Sequence, residues 1–392
     1  MDVAPRIQRL PDDLINQIAA GEVVERPSSI IKELVENSLD AGSTRIDILL
    51  KDGGIQEISI VDNGVGIPES DLPLAVERHA TSKVRTFSDL TQISSFGFRG
   101  EALASIASVS ELELTSRTAE MSKAACLRVS YSQLSTPLTY QASPPGTRVT
   151  MQRLFDRVPA RLKFLRSPGT EFSHCAKVVR EVALGNPEIA FFLHHQGKLV
   201  HSYAPGDRRS RFQDCFKPPW EPLHFSESTE EIAVEGFLSP PQWVADRGEL
   251  LLYINGRPIR HKTLTSAVRN AYQKTFGPHH EPSGVLYLDI QKDWVDVNVH
   301  PQKWEVRLLR QESVYAWLLT QVRRLLERFS RENKLFPTDT APFPSLGEGK
   351  SFYQPSGTSP FSNGTLSLAG QTPSRYRYLG SLRNEYWVVE EP

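Results

Sequence analysis

Residues 27–42 read Pro27-Ser28-Ser29-Ile30-Ile31-Lys32-Glu33-Leu34-Val35-Glu36-Asn37-Ser38-Leu39-Asp40-Ala41-Gly42. At about 100° per residue, Ile30, Ile31, Leu34, Val35 and Leu39 fall on one stripe, Pro27 suits the first turn and Gly42 the C-terminal cap, so the segment predicts an amphipathic helix. Glu33 and Asn37, spaced i and i+4, project side by side along the edge of that stripe. Taken alone, they read as two polar edge residues of an ordinary helix. The chemical alternative makes Glu33 a general base that activates water and Asn37 the holder of a divalent cation through its side-chain oxygen.

The residues beyond the helix favour chemistry. A strand predicted over 56–61 runs into Asp62-Asn63-Gly64-Val65-Gly66-Ile67-Pro68, a carboxylate at a strand end followed by two glycines that permit close backbone approach. An ionised Asp accepts hydrogen bonds and cannot donate them, so Asp62 suits the exocyclic amine of adenine and opposes guanine. Further on, Gly97-Phe98-Arg99-Gly100-Glu101-Ala102-Leu103 precedes a small-residue helix with Ala104, Ser105 and Ala107. Such a loop-to-helix junction offers unpaired N–H groups and a positive dipole end to phosphates. The stretch 79–100, with Thr81, Ser82 and Lys83, has the makings of a lid over a nucleotide. Gly146-Thr147 gives a turn into a strand over 148–151.

Around this core the chain organises into several parts. Its 392 residues suit two domains and a tail. Helical and strand-like periods alternate over 7–200, a charged and proline-bearing stretch at 206–228 marks a boundary or crossover, and a second α/β block spans 232–334. That block has strands at 231–238, 249–255 and 284–290 and a long amphipathic helix at 313–333. More than half of residues 336–375 are Pro, Gly, Ser or Thr, which predicts a disordered linker. Aromatic and β-branched residues return from Tyr376 to Val389, as the opening strands of a further domain.

Composition excludes several classes. Lys plus Arg total 45 against Asp plus Glu 46, so any nucleic-acid contact is a local basic patch. Arg157, Arg161, Lys163 and Arg166 form one such cluster, and Arg257, Arg260, His261 and Lys262 another. Cys126, Cys175 and Cys215 are odd in number and without CxxC, so neither a disulfide framework nor a cysteine zinc cluster is expected. No apolar run of about 18 residues and no leader pattern occur, which predicts a soluble, intracellular chain away from membranes. Gly347-Glu348-Gly349-Lys350-Ser351 imitates a P-loop end, but Pro344 stands where a glycine is required.

In their order, Glu33xxxAsn37, Asp62xGly64xGly66, Gly97 to Leu103 and Gly146-Thr147 resemble the GHKL ATPase superfamily of DNA gyrase B, Hsp90, histidine kinases and MutL. Longer runs narrow the match. Asn16-Gln17-Ile18-Ala19-Ala20-Gly21-Glu22, Lys32-Glu33-Leu34-Val35-Glu36-Asn37-Ser38, Arg78-His79-Ala80-Thr81-Ser82-Lys83, Tyr253-Ile254-Asn255-Gly256-Arg257 and Asn298-Val299-His300-Pro301-Gln302-Lys303 are similar to the MutL mismatch-repair family over about residues 5–330.

The resemblance implies an α+β chain: a GHKL-type ATPase α/β sandwich at 1–215, a ribosomal-protein-S5-like α/β domain at 216–335, the disordered linker at 336–375, and the start of a C-terminal dimerisation domain at 376–392. It implies ATP and Mg2+ as ligands, with Glu33 as general base, Asn37 as magnesium ligand and Asp62 as adenine reader, beside Gly64 and Gly66. Thr81, Ser82, Lys83 and Thr147 would line the site, and Arg99, Gly100, Glu101, Ala102 and Leu103 would wrap the phosphates. Lys303 would reach the γ-phosphate from the second domain.

It further implies DNA contacts at Arg257, Arg260, Lys262 and Arg161, ATP-dependent association of two N-terminal domains, and partners comprising a MutS-like mismatch-recognition protein, a nicking endonuclease and a helicase. The location would be the bacterial cytosol or nucleoid, or a nucleus. The expected function is a slow, Mg-dependent ATPase that couples mismatch recognition to repair; the rival is a DNA-binding scaffold for which ATP is an allosteric ligand. Two departures stand out. Arg157-Val158 precedes Pro159-Ala160-Arg161 where the family commonly has Asn-Thr, and no Asp-Gln-His-Ala endonuclease run occurs in these residues.

Overall fold

The computed structural model describes residues 21, 23–83, 100–134, 137–243, 248–296 and 306–333, and the backbone of the strands Arg377–Leu382 and Tyr386–Glu390. They belong to two compact units, 1–338 and 339–392. The linker expected at 336–375 lies outside the described residues.

The predicted helix forms from Pro27 to Asp40 (α1) and buries Ile30, Ile31, Leu34 and Val35. Nine strands form one sheet: β1 (Arg45–Lys51), β2 (Glu57–Asp62), β3 (Glu111–Arg117), β4 (Ala124–Ser130), β5 (Gln133–Leu134), β6 (Thr139–Gln141), β7 (Gly146–Gln152), β8 (Ala190–His195) and β9 (Lys198–Tyr203). Their order is β5-β4-β3-β7-β2-β1-β8-β9, with β6 beside β4. The pairings are antiparallel apart from β1 with β8.

Side chains alternate between the faces of a strand, so the register places one row of four strands on one face. Leu50, Ile58, Met151 and Leu112 make one such row, and Ile48, Ile60, Val149 and Leu114 the next. These eight residues are buried. At about 1.5–3 kcal/mol per buried aliphatic side chain, these rows fix the register and hold the helices. The third row is Ile46, Asp62, Thr147 and Ser116, where the face turns polar.

The short helices α2 (Leu72–Ala75), α3 (Ala102–Ser108) and α4 (Pro159–Leu162) and the long α5 (Pro168–Gly185) complete this part. Helices α1, α3 and α5 supply Ile30, Ile31, Ile106, Val179 and Val182 to the core over the sheet. α1 is covered more fully than a one-stripe helix requires: Lys32 and Glu36 are also buried and pair at 2.7 Å.

The charged stretch at 206–228 is ordered. Asp207 accepts from Ser210 N–H at 2.7 Å and its own N–H donates to Ser210 Oγ at 3.1 Å, a capping box that starts α6 (Arg208–Phe216). The fully buried Arg211 donates to the carbonyls of Ala183, Asn186, Pro187, Ile189 and Ala204, tying α6 to the end of α5 and to the start and finish of the β8–β9 hairpin. Charge in this stretch thus serves packing as well as solvation.

A second sheet comprises β10 (Leu223–Ser228), β11 (Ile232–Leu238), β12 (Leu250–Ile254), β13 (Arg257–Ile259) and β14 (Gly284–Ile290), in the order β10-β11-β14-β12-β13. One face carries α7 (Lys262–Phe276) and α8 (Gln311–Glu332) through Leu264, Val268, Leu318 and Val322. The other carries Phe237, Tyr253, Val285 and Tyr287 onto Leu184 and Phe212. Tyr253 donates to Glu181 O and Tyr287 to Leu184 O, so the second sheet satisfies carbonyls at the C-terminal end of α5. A small ribbon joins β15 (Val295–Asp296) to β16 (Arg307–Leu308). In the second unit, β17 (Arg377–Leu382) and β18 (Tyr386–Glu390) form an antiparallel hairpin. The fold is α+β.

Candidate nucleotide site

The polar row at the end of the sheet is the floor of the site. Asp62 lies two and four residues after Ile60 and Ile58, so it points to the helix-covered face. There its Oδ2 accepts from Ser38 Oγ of α1 at 2.9 Å, and its Oδ1 accepts from the N–H groups of Gly64 at 2.9 Å and Thr147 at 3.3 Å. The hydroxyls of Thr147 and Ser116 lie 2.8 Å apart, and Ser116 Oγ accepts from Ile67 N–H at 2.8 Å. Burial pushes the Asp62 carboxyl above the ordinary carboxylate range, and the hydrogen bonds from Gly64, Ser38 and Thr147 pull against it.

The two glycines after Asp62 are required. A Cβ on Gly64 would lie 2.8 Å from Ala41 Cβ and Ser43 Oγ. Gly66 has φ +76°, and a Cβ there would lie 2.2 Å from Arg117 O. The N–H of Val65 donates to Ala41 O at 3.1 Å, joining this loop to the end of α1.

Along α1 lies a second cluster. Lys83 Nζ donates to Asn37 Oδ1 at 2.9 Å and to Asp40 Oδ2 at 2.5 Å, while its N–H donates to Thr81 Oγ1 at 3.1 Å. Thr81 and Ser82 are exposed. One turn earlier, Glu33 keeps 19% of its side chain exposed, with Lys32 Nζ at 3.9 Å. That lysine pairs with Glu36 at 2.7 Å, leaving Glu33 without a short ion pair among the described residues. Beyond Lys83, His79 N–H donates to Gly100 O at 3.1 Å, and α3 begins at Ala102, with Leu103 next in it. Its N-cap residue Glu101 makes no side-chain capping bond. Arg99 and Lys303 lie outside the described residues.

Asn37, Asp62, Thr147, Thr81 and Lys83 are therefore linked around one end of α1, with Glu33 a turn away. Ser38, Ser116 and Asp40 join them without having been singled out by motif. Ser38 signals itself as a polar residue on the buried stripe. Ser116 becomes visible only once the order β3-β7-β2 sets it beside Thr147.

The basic residues divide. Arg260 and Lys262 are exposed and line a cleft of about 620 Å³ with Lys177, Glu181, Glu249 and Arg269. Arg257 is 8% exposed; burial lowers its pKa, and Glu36 and Asp40 of α1 act against that shift. Its guanidinium thus faces the helix rather than outward. Arg161 lies over the Phe155 ring and against Gly21, where a Cβ would come within 2.0 Å of its Nη2. The departure at Arg157-Val158 is accommodated locally: the Arg157 guanidinium covers the Tyr131 ring at 3.9 Å, and Val158 O accepts from the N–H groups of Arg161 and Leu162.

Comparison with known proteins fits this geometry. A family described as "Histidine kinase-, DNA gyrase B-, and HSP90-like ATPase" matches residues 25–154, and "DNA mismatch repair protein, C-terminal domain" matches residues 220–327. The DNA mismatch repair protein MutL of Ralstonia nicotianae is 41% identical over 380 residues, covering 95% of this chain and 58% of that protein. The chain belongs to the MutL family. MutL of Edwardsiella ictaluri is 46% identical over 329 residues, 82% of this chain and 52% of that one. The chain thus spans about half the length of the MutL relatives it matches. Among solved structures, the Aquifex aeolicus MutL ATPase domain complexed with ADP is 28% identical with a TM-score of 0.54, over 68% of this chain and 93% of that one. The N-terminal domain of a DNA repair protein is 27% identical with a TM-score of 0.69, over 81% of this chain and 99% of that one. Among the described residues no helix is long and apolar enough to cross a membrane.

Proposed function

We propose that this chain is the ATP-hydrolysing switch of a DNA mismatch repair protein. The observation that carries the reading is the row Asp62-Thr147-Ser116 set against Ser38 of α1, with Asn37 and Glu33 on the same helix. A buried carboxylate with its acceptor lone pairs partly satisfied by fixed N–H and O–H groups reads an adenine amine, and Gly64 and Gly66 let the backbone approach the base. The ADP complex of the Aquifex relative supports a nucleotide here.

In this reading Glu33 takes the proton of the water that attacks the γ-phosphate, being partly exposed and, among the described residues, outside a short ion pair. The phosphates lie toward the start of α3, at Gly100, Glu101, Ala102 and Leu103, with Thr81, Ser82, Lys83 and Arg99 beside them. Asn37 holds magnesium, which supplies charge neutralisation on the phosphate oxygens. The fit is supported by the ammonium that Asn37 Oδ1 and Asp40 already accept. Lys303 reaches the γ-phosphate from the second domain, so ATP and ADP differ in one charged contact and shift the conformation accordingly.

The domain limits 1–215, 216–335, 336–375 and 376–392 belong to the same proposal. ATP brings two N-terminal domains together on DNA, contacted through Arg260 and Lys262, and turnover resets a slow switch that links a MutS-like partner to a nicking endonuclease and a helicase. Glu33→Ala tests the chemistry. Nucleotide affinity should stay within about twofold while hydrolysis falls by about 100-fold or more; hydrolysis at the wild-type rate would remove Glu33 as base. The scaffold reading separates on another axis: a flat, negligible ATPase rate across protein concentrations with DNA binding retained would replace the switch.

A further inference from the structure

The pairing of Lys83 assigns a role that the nucleotide contacts alone do not. We propose that the Lys83 ammonium is the resident counter-ion of a cation seat built by Asn37 and Asp40, and that Asp40 is an oxygen ligand of that seat once a divalent ion replaces the ammonium. This rests on the nucleotide reading for the moment of exchange, and on the geometry alone for the seat.

Asn37 and Asp40 are i and i+3 on α1, so their oxygens lie on one side of the helix. A neutral carboxamide oxygen at 2.9 Å and a carboxylate oxygen at 2.5 Å converge on one nitrogen. The side chain of Lys83 is 23% exposed and that of Asp40 only 9%. A carboxamide oxygen beside a carboxylate is the donor set of a hard divalent cation, completed by water and phosphate oxygens. Lys83 at once neutralises Asp40 and fills the space. Arg257 adds positive charge toward the same carboxylate from the second sheet.

A divalent ion approaching without nucleotide therefore meets no net attraction and an occupied position. A triphosphate changes both terms. Its oxygens offer the ammonium a stronger anionic partner, Lys83 turns to them, and Asn37 and Asp40 are released to the metal. Metal and triphosphate then enter together, and Lys83 acts as a placeholder that keeps a bare metal out.

The test uses the full chain without nucleotide, titrated with Mn2+ and read by the loss of free Mn2+ signal in electron paramagnetic resonance. Wild type should bind Mn2+ weakly. Lys83→Met should tighten binding by about tenfold or more, since a unit charge within hydrogen-bond distance is removed. Adding Asp40→Asn to Lys83→Met should abolish the gain, and Lys83→Arg should behave as wild type. The proposal is overturned if Lys83→Met binds no more tightly than wild type, or if the gain survives in the double variant. Should Lys83→Met fail to fold by circular dichroism, Lys83→Gln carries the same expectation and the same refutation. An ADP titration of wild type keeps the two ideas apart. No ADP binding beside a Mn2+ gain sinks the nucleotide reading and leaves the seat, whereas ADP binding without a Mn2+ gain does the reverse.

Discussion

Replacing Asp62 with Asn tests the adenine contact without disturbing the fold. The amide oxygen can keep the bonds from Gly64 N–H and Thr147 N–H, and its nitrogen can donate to Ser38 Oγ in place of the bond now received at 2.9 Å. Burial raises the pKa of this carboxyl, so the folded protein bears a cost for its ionised form that the neutral amide lacks. The unliganded protein should therefore be as stable as wild type or slightly more so. Nucleotide binding should respond oppositely. The adenine amine would meet a donor instead of a charged acceptor, losing a bond worth about 1.5–3 kcal/mol and leaving donors unpaired at about 1–3 kcal/mol. A loss of roughly 3 kcal/mol is about two orders of magnitude in Kd. It should be equal for ATP and ADP, because both carry the base. Calorimetric titration with each nucleotide, beside unfolding curves with and without ADP, reads both quantities. ADP affinity within about threefold of wild type would refute the contact. The pH dependence has a defined sign. The raised pKa means that the cost of the buried carboxylate is present at neutral pH and relieved as pH falls through the folded pKa, while nucleotide affinity falls over that same interval as the acceptor is protonated.

Lys303→Met should weaken ATP binding by about tenfold or more and leave ADP nearly unchanged; equal losses in paired titrations would exclude a γ-phosphate contact. Arg211→Met should destabilise the first unit by about 3–5 kcal/mol in urea unfolding, because the carbonyls at the end of α5 and around the β8–β9 hairpin lose a buried charged donor. A midpoint unchanged from wild type would contradict that. Arg260→Ala with Lys262→Ala should reduce the slope of log affinity for duplex DNA against log salt by about one per residue. An unaltered slope would remove the cleft they line from the DNA surface.

Much of this arrangement was legible in sequence because local periodicity and steric demand carried it. The stripe Ile30-Ile31-Leu34-Val35 fixes α1, and a strand ending in Asp62 followed by glycines fixes the turn, since Gly66 needs positive φ and Gly64 has no room for a Cβ. The contacts that escaped depend on distance in sequence. Ser116 meets Thr147 only through strand order, and Lys83 meets Asp40 only because the segment after α2 returns to α1. Arg257 groups with Arg260, His261 and Lys262 as one basic cluster because they are close in sequence. β13 alternates, however, and Arg257 shares the buried phase with Ile259. The stretch 206–228 reads as a boundary or crossover by composition, and its Arg211 donates to five carbonyls between residues 183 and 204, a pairing no local pattern announces.

These long-range pairings also supply a physical route between the two sheets. The last turn of a helix leaves carbonyls unsatisfied, and of those of α5 Leu184 O is taken by Tyr287 of the second sheet and Ala183 O by Arg211 of α6, while Tyr253 donates to Glu181 O just before them. α5 in turn packs along α1, the helix that carries Glu33, Asn37 and Asp40. Sliding the second sheet against α5 would break buried hydrogen bonds at about 1–3 kcal/mol for each group left unpaired, and would open the aromatic cluster of Phe212, Phe237 and Tyr253. Moving the second sheet and α5 together breaks neither. A displacement of the second sheet therefore breaks fewest of these bonds when α5 travels with it, and α5 is packed against α1. In the proposed reading, a nucleotide that repositions side chains on α1 and a DNA duplex that pulls on Arg260 and Lys262 would both act on elements packed against α5.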